Sequence, residues 1–203
     1  MKAISAVLPF RVNNYVIEDL IDWTRIPDDP IYQLTFPQPD MLQPEDFERM
    51  VRLGRHAEQV GRMVTLITDA FTVRLLELAE RELGPAPMRY AWAAFGSQGR
   101  QEQTARTDQD NGLILERDPS KEESEYFSGL ANYVCEGLDR LGYVYCPGEV
   151  MALNAKWRVP LGQWKKHFDS WIDEPVPKSV MFSSIFFDMR CIHGSKDLVE
   201  DLL

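Results

Sequence analysis

The sequence of 203 residues predicts an α+β fold, because long helical periodicities stand beside apolar runs that are too short for helices. Apolar residues recur at helical spacing up to Leu83, so residues 44–83 are predicted to form one long helix, with a break near Gly61 left open. The runs AWAAFGS (91–97) and DNGLILE (110–116) predict two short buried strands. Helices and a small sheet should therefore share one core.

The remaining elements follow from similar patterns. The first 43 residues are rich in proline, which blocks regular helices and central strands, and they are predicted to form an extended arm. A strand is predicted within 143–153, interrupted at Pro147 and Gly148. Further helices are predicted at 122–141, 164–172, 179–190 and 196–203.

Composition excludes several classes of protein. The formal net charge of −10 argues against an extended nucleic-acid surface, although it leaves room for a single nucleotide. No run approaches the length of a membrane span, and the N-terminus lacks the apolar stretch of a signal peptide, so a cytoplasmic protein is expected. The three scattered cysteines form no disulfide, zinc or iron–sulfur pattern and are interpreted as small buried hydrophobes.

The segment GSQGRQEQTARTDQDN (96–111) carries the chemistry. Gly96 and Ser97 follow a predicted strand and open a short helix, where free backbone N–H groups can bind phosphate oxygens. Asp108 and Asp110 stand two residues apart at the head of the next strand, so both carboxylates should point to the same side. Two carboxylates beside a phosphate site suit Mg²⁺ or Mn²⁺, which bind a few protein oxygens together with substrate phosphates.

Simpler interpretations exist for each part of this segment. A Gly-Ser pair after a strand is common, and an Asp-x-Asp sequence is often a turn or a helix cap. Arg100 can neutralise phosphate charge, or it can form a surface ion pair with Glu102. The order of the parts, rather than any one of them, favours a phosphate and metal site.

The same segment resembles the signature of the DNA-polymerase-β-type nucleotidyltransferase superfamily. More narrowly, it is similar to bacterial nucleotidyltransferases found behind cyclic-nucleotide-binding and CBS domains, relatives of the protein-PII uridylyltransferase. The runs LITDAFTVRLLELAERELGPAP, CPGEVMALNAKWRVPLGQWKKHFDSWID and SIFFDMRCIHGSKDLVEDL resemble that family in the same order. The resemblance covers approximately residues 52–203.

The resemblance implies a domain plan. A helical segment (44–88) would precede a nucleotidyltransferase core (89–160) built on a small mixed sheet. The start of a helical substrate-binding region (161–203) would follow, and its shortness predicts an exposed apolar patch near Ile185, Phe186 and Leu202 and a possible homodimer.

The resemblance also assigns roles to residues. Asp108 and Asp110 would be the catalytic metal ligands, and Glu149 is the candidate for the third carboxylate that many members carry. Asp188, in a predicted helix, is expected to form a structural pair with Arg190 or with a helix partner instead. The predicted nucleotide-binding residues are Gly96, Ser97, Gly99, Arg100 and Arg106.

The arm has a separate resemblance. PFRVNNYVIEDLIDW and IPDDPIYQLTFPQPDML are similar to the lead-in of lysine-2,3-aminomutase-like radical SAM proteins. The chain has no CxxxCxxC run to hold a [4Fe–4S] cluster, so no radical chemistry is expected from this arm.

Two functions remain open at this point. The first is a uridylyltransferase-like enzyme of signal transduction, which moves a nucleotidyl group from an NTP to a hydroxyl of a protein or small-molecule acceptor. The second is a degenerate nucleotide-binding sensor without turnover. A third carboxylate within reach of both aspartates would favour the enzyme, and its absence would favour the sensor.

Overall fold

The computed structural model of the chain describes residues 14–35, 57–104, 107–174 and 176–203. Its centre is a four-stranded mixed sheet with the spatial order β3-β2-β1-β4. Strand β1 runs antiparallel to both β2 and β4, whereas β2 and β3 are parallel. The strands are β1 (Tyr90–Ala94), β2 (Asn111–Leu115), β3 (Arg158–Pro160) and β4 (Arg190–Gly194). The predicted α+β class is confirmed.

Helices cover both faces of this sheet. The α-helices are α1 (Pro30–Thr35), α2 (Ala57–Leu83), α3 (Gly96–Gly99), α4 (Lys121–Arg140), α5 (Leu161–Asp173), α6 (Pro177–Phe186) and α7 (Lys196–Glu200). Short π- and 3-10-helical turns add Val16–Leu20, Trp23–Arg25 and Ala155–Trp157. None of the described helices combines the length and apolarity that a membrane crossing needs.

Successive residues of β1 face different cores. Tyr90 and Trp92 pack with the apolar faces of α2 and α4, whereas Ala91 and Ala93 belong to the core that α5 and α6 supply. Because both faces of the sheet are covered, every residue of β1 and β2 is buried, which explains why both strands are mostly apolar.

Helix α4 is fixed at its start by its own sequence. Ser120 and Glu123 form a capping box, in which each side chain accepts a hydrogen bond from the other residue's backbone N–H. Near the other end, a Cβ at Gly137 would lie 2.5 Å from Cδ2 of Leu75, so glycine permits the close approach of α4 to α2. This contact helps to fix α2 against the core.

The N-terminal segment differs from the predicted extended arm. Where it is described (14–35), it forms short helices, and the side chains of Leu20 and Ile31 are fully buried in the core with α2 and α4. Pro30 begins α1 instead of breaking it. Backbone N–H groups in the first turn of a helix have no partner within the helix, so proline, which lacks an N–H, is tolerated there. The buried carboxylate of Asp29 accepts a hydrogen bond of 2.7 Å from the Tyr32 N–H and so caps that turn.

The long helix is confirmed in its described part. It continues through Gly61 without a break, and residues 44–56 of the prediction lie outside the described residues. The helices predicted at 122–141, 164–172 and 196–203 correspond to α4, α5 and the short α7.

Two predicted elements are wrong. The stretch 143–153 forms turns with one isolated bridge, between Val144 and Asp108, and β3 lies further along the chain. The helix predicted at 179–190 ends at Phe186, after which Asp188 lies in a turn and β4 begins. Pairing with the edge of β1, which no local pattern reports, decides that Arg190–Gly194 is a strand.

The predicted apolar patch needs a similar correction. Phe186 is fully buried, and Ile185 and Leu202 are only partly exposed. The most exposed apolar side chains of α5, α6 and the C-terminus are Ile172, Val180 and Leu203. The homodimer stays a prediction.

Phe186→Ala is expected to destabilise the protein by about 3–5 kcal/mol, because the buried ring leaves a cavity among aromatic neighbours. The Phe186 ring centroid lies 4.7 Å from that of Phe95 and 4.6 Å from that of Trp157. The neighbouring Phe187 is 40% exposed, so Phe187→Ala serves as the matched control and should cost about 1 kcal/mol or less. Urea unfolding measures both, and equal losses would contradict the assignment of Phe186 to the core.

Candidate active site

The turn after β1 brings the backbone against the second strand. The Phe95 N–H donates to the Asp110 carbonyl at 2.9 Å, and helix α3 then starts at Gly96. Gly96 has a φ of +53°, and a Cβ there would lie 2.6 Å from Oδ2 of Asp110. Both the positive φ and the lack of space for a Cβ beside the carboxylate therefore favour glycine at this position.

Gly99 is required for packing rather than for its backbone angle. A Cβ at this position would lie 2.5 Å from the Asp188 carbonyl oxygen and 3.2 Å from that of Ala94. The turn that carries the predicted phosphate site therefore packs directly against the backbone of the connection between α6 and β4.

Asp108 and Asp110 stand on one side of the chain, as their spacing predicts. Both are partly buried, whereas the side chain of Gln109 between them is buried in the opposite direction. The Gln109 Nε2 donates to the carbonyls of Cys135 and Tyr143, at 3.0 and 2.8 Å. Alternation along an extended segment thus separates two carboxylates from the core-facing amide.

A thiol is the third member of this group. One ligand atom each from Asp108, Asp110 and Cys146 lies within 4.8 Å of the others. The predicted proximity of the two carboxylates is therefore confirmed, and a sulfur atom stands beside them.

Backbone contacts place the thiol there. The N–H groups of Gln109 and Asn111 donate to the Val144 and Val150 carbonyls at 3.0 and 3.1 Å, on either side of Cys146. The Asn111 side chain also accepts a hydrogen bond of 2.9 Å from the Ala152 N–H. The turn 144–152 is thereby tied to the segment that holds both aspartates.

The electrostatics of the group follow from burial and mutual repulsion. Burial is the main cause that raises the pKa of Asp110, and the negative charge of Asp108 raises it further. A hydrogen bond from the Cys146 thiol and the charge of Arg100 act in the opposite direction. Burial also raises the pKa of Cys146, and the neighbouring Asp110 carboxylate raises it further.

These donors fit a divalent cation. Two adjacent carboxylates that repel each other are stabilised by positive charge, and carboxylate oxygens are the ligands that Mg²⁺ and Mn²⁺ prefer. The thiol is a softer donor, which these two cations bind less readily than a carboxylate oxygen. The chemistry of the group therefore agrees with a cation held by Asp108 and Asp110.

The other predicted site residues occupy varied positions. Ser97 is partly buried within α3, and its carbonyl accepts a hydrogen bond of 2.9 Å from the Glu102 N–H. Glu149 is exposed at a φ of +56°, and the structure does not bring it into the group of Asp108, Asp110 and Cys146. Arg106 lies outside the described residues.

Arg100 already has acidic partners. It forms the ion pair with Glu102 that the sequence left open, and it approaches Asp188 at 3.8 Å. Of the two partners predicted for Asp188, Arg190 is wrong, since the Arg190 guanidinium binds Asp69 at 2.8 Å. A phosphate would have to compete with these carboxylates for Arg100.

Sequence reasoning missed four side chains around this site. Cys146 stands in the same CPGE run as Glu149, and this closeness in sequence to a predicted site residue was the only signal that pointed to it. Gln98 lies inside the GSQG turn, but its partners Asp69 and Arg190 are 29 and 92 residues away. No local pattern connects such distant positions.

Comparison with known families agrees with this geometry. The family described as "Putative nucleotidyltransferase DUF294" matches residues 43–178, about two-thirds of the chain. The chain belongs to this family. The match includes the GSQG turn, both aspartates and Cys146. No curated protein and no solved structure matches the chain.

Membership in this family supports a role in nucleotidyl transfer and hence a transferase. The small mixed sheet with flanking helices is consistent with a nucleotidyltransferase-type core.

Proposed function

We propose that this protein transfers a nucleotidyl group from an NTP to a hydroxyl of a protein or small-molecule acceptor, with Mg²⁺ or Mn²⁺ bound to Asp108 and Asp110. The single observation that carries the proposal is the contact between the glycine turn and the carboxylates. Gly96 leaves no room for a Cβ beside the Asp110 carboxylate, so a phosphate at the turn would lie next to a cation on the aspartates.

Each part of the turn has a role in this reaction. The start of α3 offers backbone N–H groups and the Ser97 hydroxyl to the phosphates. Gly99, which has no Cβ, allows the turn to pack against the Asp188 backbone. Arg100 and Arg106 are proposed to add positive charge at the phosphates. When bound, a divalent cation supplies charge neutralisation for the triphosphate and polarises the attacking oxygen.

The transfer itself is a substitution at phosphorus. The acceptor oxygen bonds to the α-phosphorus, the bond from that phosphorus to the bridging oxygen breaks, and pyrophosphate leaves with the electron pair. The hydroxyl proton passes to a base, for which Glu149 is the proposed residue. Its exposed position in the turn after Cys146 requires that the acceptor approach from that side.

A sensor without turnover is the second candidate, and one observation favours it. Within the described ranges, the third ligand-type side chain beside the aspartates is a thiol rather than a carboxylate. Such a site could still hold a nucleotide and a cation while lacking the base that transfer needs. Binding and transfer therefore have to be measured separately.

The test uses each of the four NTPs, labelled at the α-phosphate, with Mg²⁺, Mn²⁺ or EDTA and a cell extract as the acceptor source. UTP and protein acceptors come first, because of the resemblance to protein-PII uridylyltransferase relatives. Cation-dependent label in a protein or small-molecule fraction, with release of pyrophosphate, is the expected result. Cation-dependent binding without transfer to any acceptor would select the sensor, and NTP binding that is absent under all conditions would exclude both.

A further inference from the structure

We propose that Asp69 of α2 and Arg190 of β4 are positioning residues that hold the phosphate-binding turn in its working conformation through Gln98. This inference rests on the proposed function, since it assumes that the turn at Gly96 binds an NTP. It adds a role for α2, which contributes no side chain to the group of Asp108, Asp110 and Cys146.

The three residues form a closed set of hydrogen bonds beneath the turn. The Arg190 Nη1 and Nη2 donate to the two oxygens of Asp69 at 2.8 and 3.1 Å, the forked arrangement that arginine makes with a carboxylate. The Gln98 Nε2 donates to Asp69 Oδ1 at 2.9 Å, and Arg190 Nη2 also donates to the Gln98 carbonyl at 3.2 Å. Gln98 is therefore held by its side chain and by its backbone.

Holding the Gln98 carbonyl also orients the next N–H. The carbonyl of Gln98 and the N–H of Gly99 belong to one planar peptide group, so fixing one direction fixes the other. The Gly99 N–H donates to the Phe95 carbonyl at 2.9 Å, which closes the turn. Through this peptide, Arg190 acts on the shape of the turn that faces the phosphates.

Burial makes these bonds resistant to competition from water. Gln98 is 6% exposed, and the side chains of Asp69 and Arg190 are 15% and 30% exposed. Hydrogen bonds to charged groups in such surroundings are stronger than those at the surface. The arrangement thus resembles the supporting contacts that orient ligands around reactive sites.

Helix α2 also contacts the residues that directly follow the turn. A Cβ at Gly61 would lie 3.0 Å from Cα of Glu102 and 3.3 Å from the Gln101 carbonyl oxygen. Gln101 has a φ of +59°, a conformation that a non-glycine residue keeps only where its surroundings enforce it. Gly61 and Asp69 are about 12 Å apart along the helix, so α2 supports the turn at two separate points.

A purely structural ion pair between α2 and β4 is the alternative. In that case the loss of Asp69 would lower the melting temperature but leave the affinity for NTP unchanged. The NTP affinity of folded Asp69 and Arg190 variants separates these two interpretations, and a variant at Gly61 tests the second point of support without removing any hydrogen bond. Gly61→Ala is such a variant, because alanine favours the helix and only presses on the backbone at Gln101 and Glu102.

The experiment measures the dissociation constant for NTP in Mn²⁺, by equilibrium dialysis, and the melting temperature of each variant. Asp69→Ala and Arg190→Lys are expected to weaken NTP binding about tenfold, a typical effect of removing a supporting contact. Arg190→Lys keeps the positive charge but loses the forked hydrogen bonds to Asp69, so it should not preserve the NTP affinity of the unmodified chain. Gly61→Ala should weaken binding without lowering the melting temperature.

Gly129→Ala is the matched control, since it is also a glycine within a helix. Its Cβ would meet only Cδ atoms of Leu83, at 3.6 Å or more, and it should leave NTP binding unchanged. Unchanged affinity in both Asp69→Ala and Arg190→Lys would overturn the inference, and Arg190→Lys alone decides it if Asp69→Ala does not fold. Failure of the unmodified chain to bind any NTP would instead overturn the proposed function.

Discussion

Asp108→Asn together with Asp110→Asn is expected to abolish cation-dependent NTP binding and to lower any nucleotidyl transfer by at least about 10³-fold. Loss of a bound cation removes several kcal/mol of charge stabilisation from the transition state, which corresponds to this factor. Folding should survive, because the two carboxylates repel each other and burial disfavours the charge of Asp110. The melting temperature in EDTA should therefore stay the same or rise slightly.

Binding is measured by equilibrium dialysis in Mn²⁺ and in EDTA, and stability by circular dichroism in EDTA. Asp169→Asn with Asp173→Asn is the control, since it removes the same charge from two exposed positions of α5. This pair should bind NTP like the unmodified chain. Equal NTP affinity of the unmodified chain in EDTA and in Mn²⁺ would remove the basis of the metal site. A large fall in melting temperature of the Asp108 and Asp110 variant would point to a structural role.

Gly96→Ala is expected to weaken NTP binding by about 10- to 100-fold, the range typical of disturbed supporting contacts at a site. The new Cβ would lie 2.6 Å from Oδ2 of Asp110 and would displace that carboxylate. The positive φ at Gly96 adds a backbone cost of about 1–2 kcal/mol for a residue with a Cβ. Stability should therefore fall by a similar small amount.

Gly142→Ala is the control for the backbone cost alone. Gly142 has a φ of +101°, but a Cβ there would meet no atom within 4 Å among the described residues. Both variants should lose stability in urea unfolding, and only Gly96→Ala should lose affinity for NTP and Mn²⁺. Equal NTP affinities of the two variants would show that the space beside Asp110 has no role in binding.

The sequence by itself determined the local geometry of the site. The spacing of Asp108 and Asp110 places both carboxylates on one side, because side chains alternate along an extended segment. The apolar runs before and after the GSQG turn predicted β1 and β2, since strands covered on both faces are built mostly from apolar residues. Helical periodicity likewise predicted α2 and α4, which repeat an apolar face over many turns.

The tertiary structure alone decided which distant residues join the site. Arg190 reaches Asp69 across 121 positions of sequence, and Cys146 reaches Asp110 only because the turn 144–152 is bound to residues 109–111. It also decided that Arg190–Gly194 forms a strand and that the N-terminal segment packs on the core. Such contacts depend on the path of the whole chain, whereas periodicity and spacing report only on neighbours within a few residues.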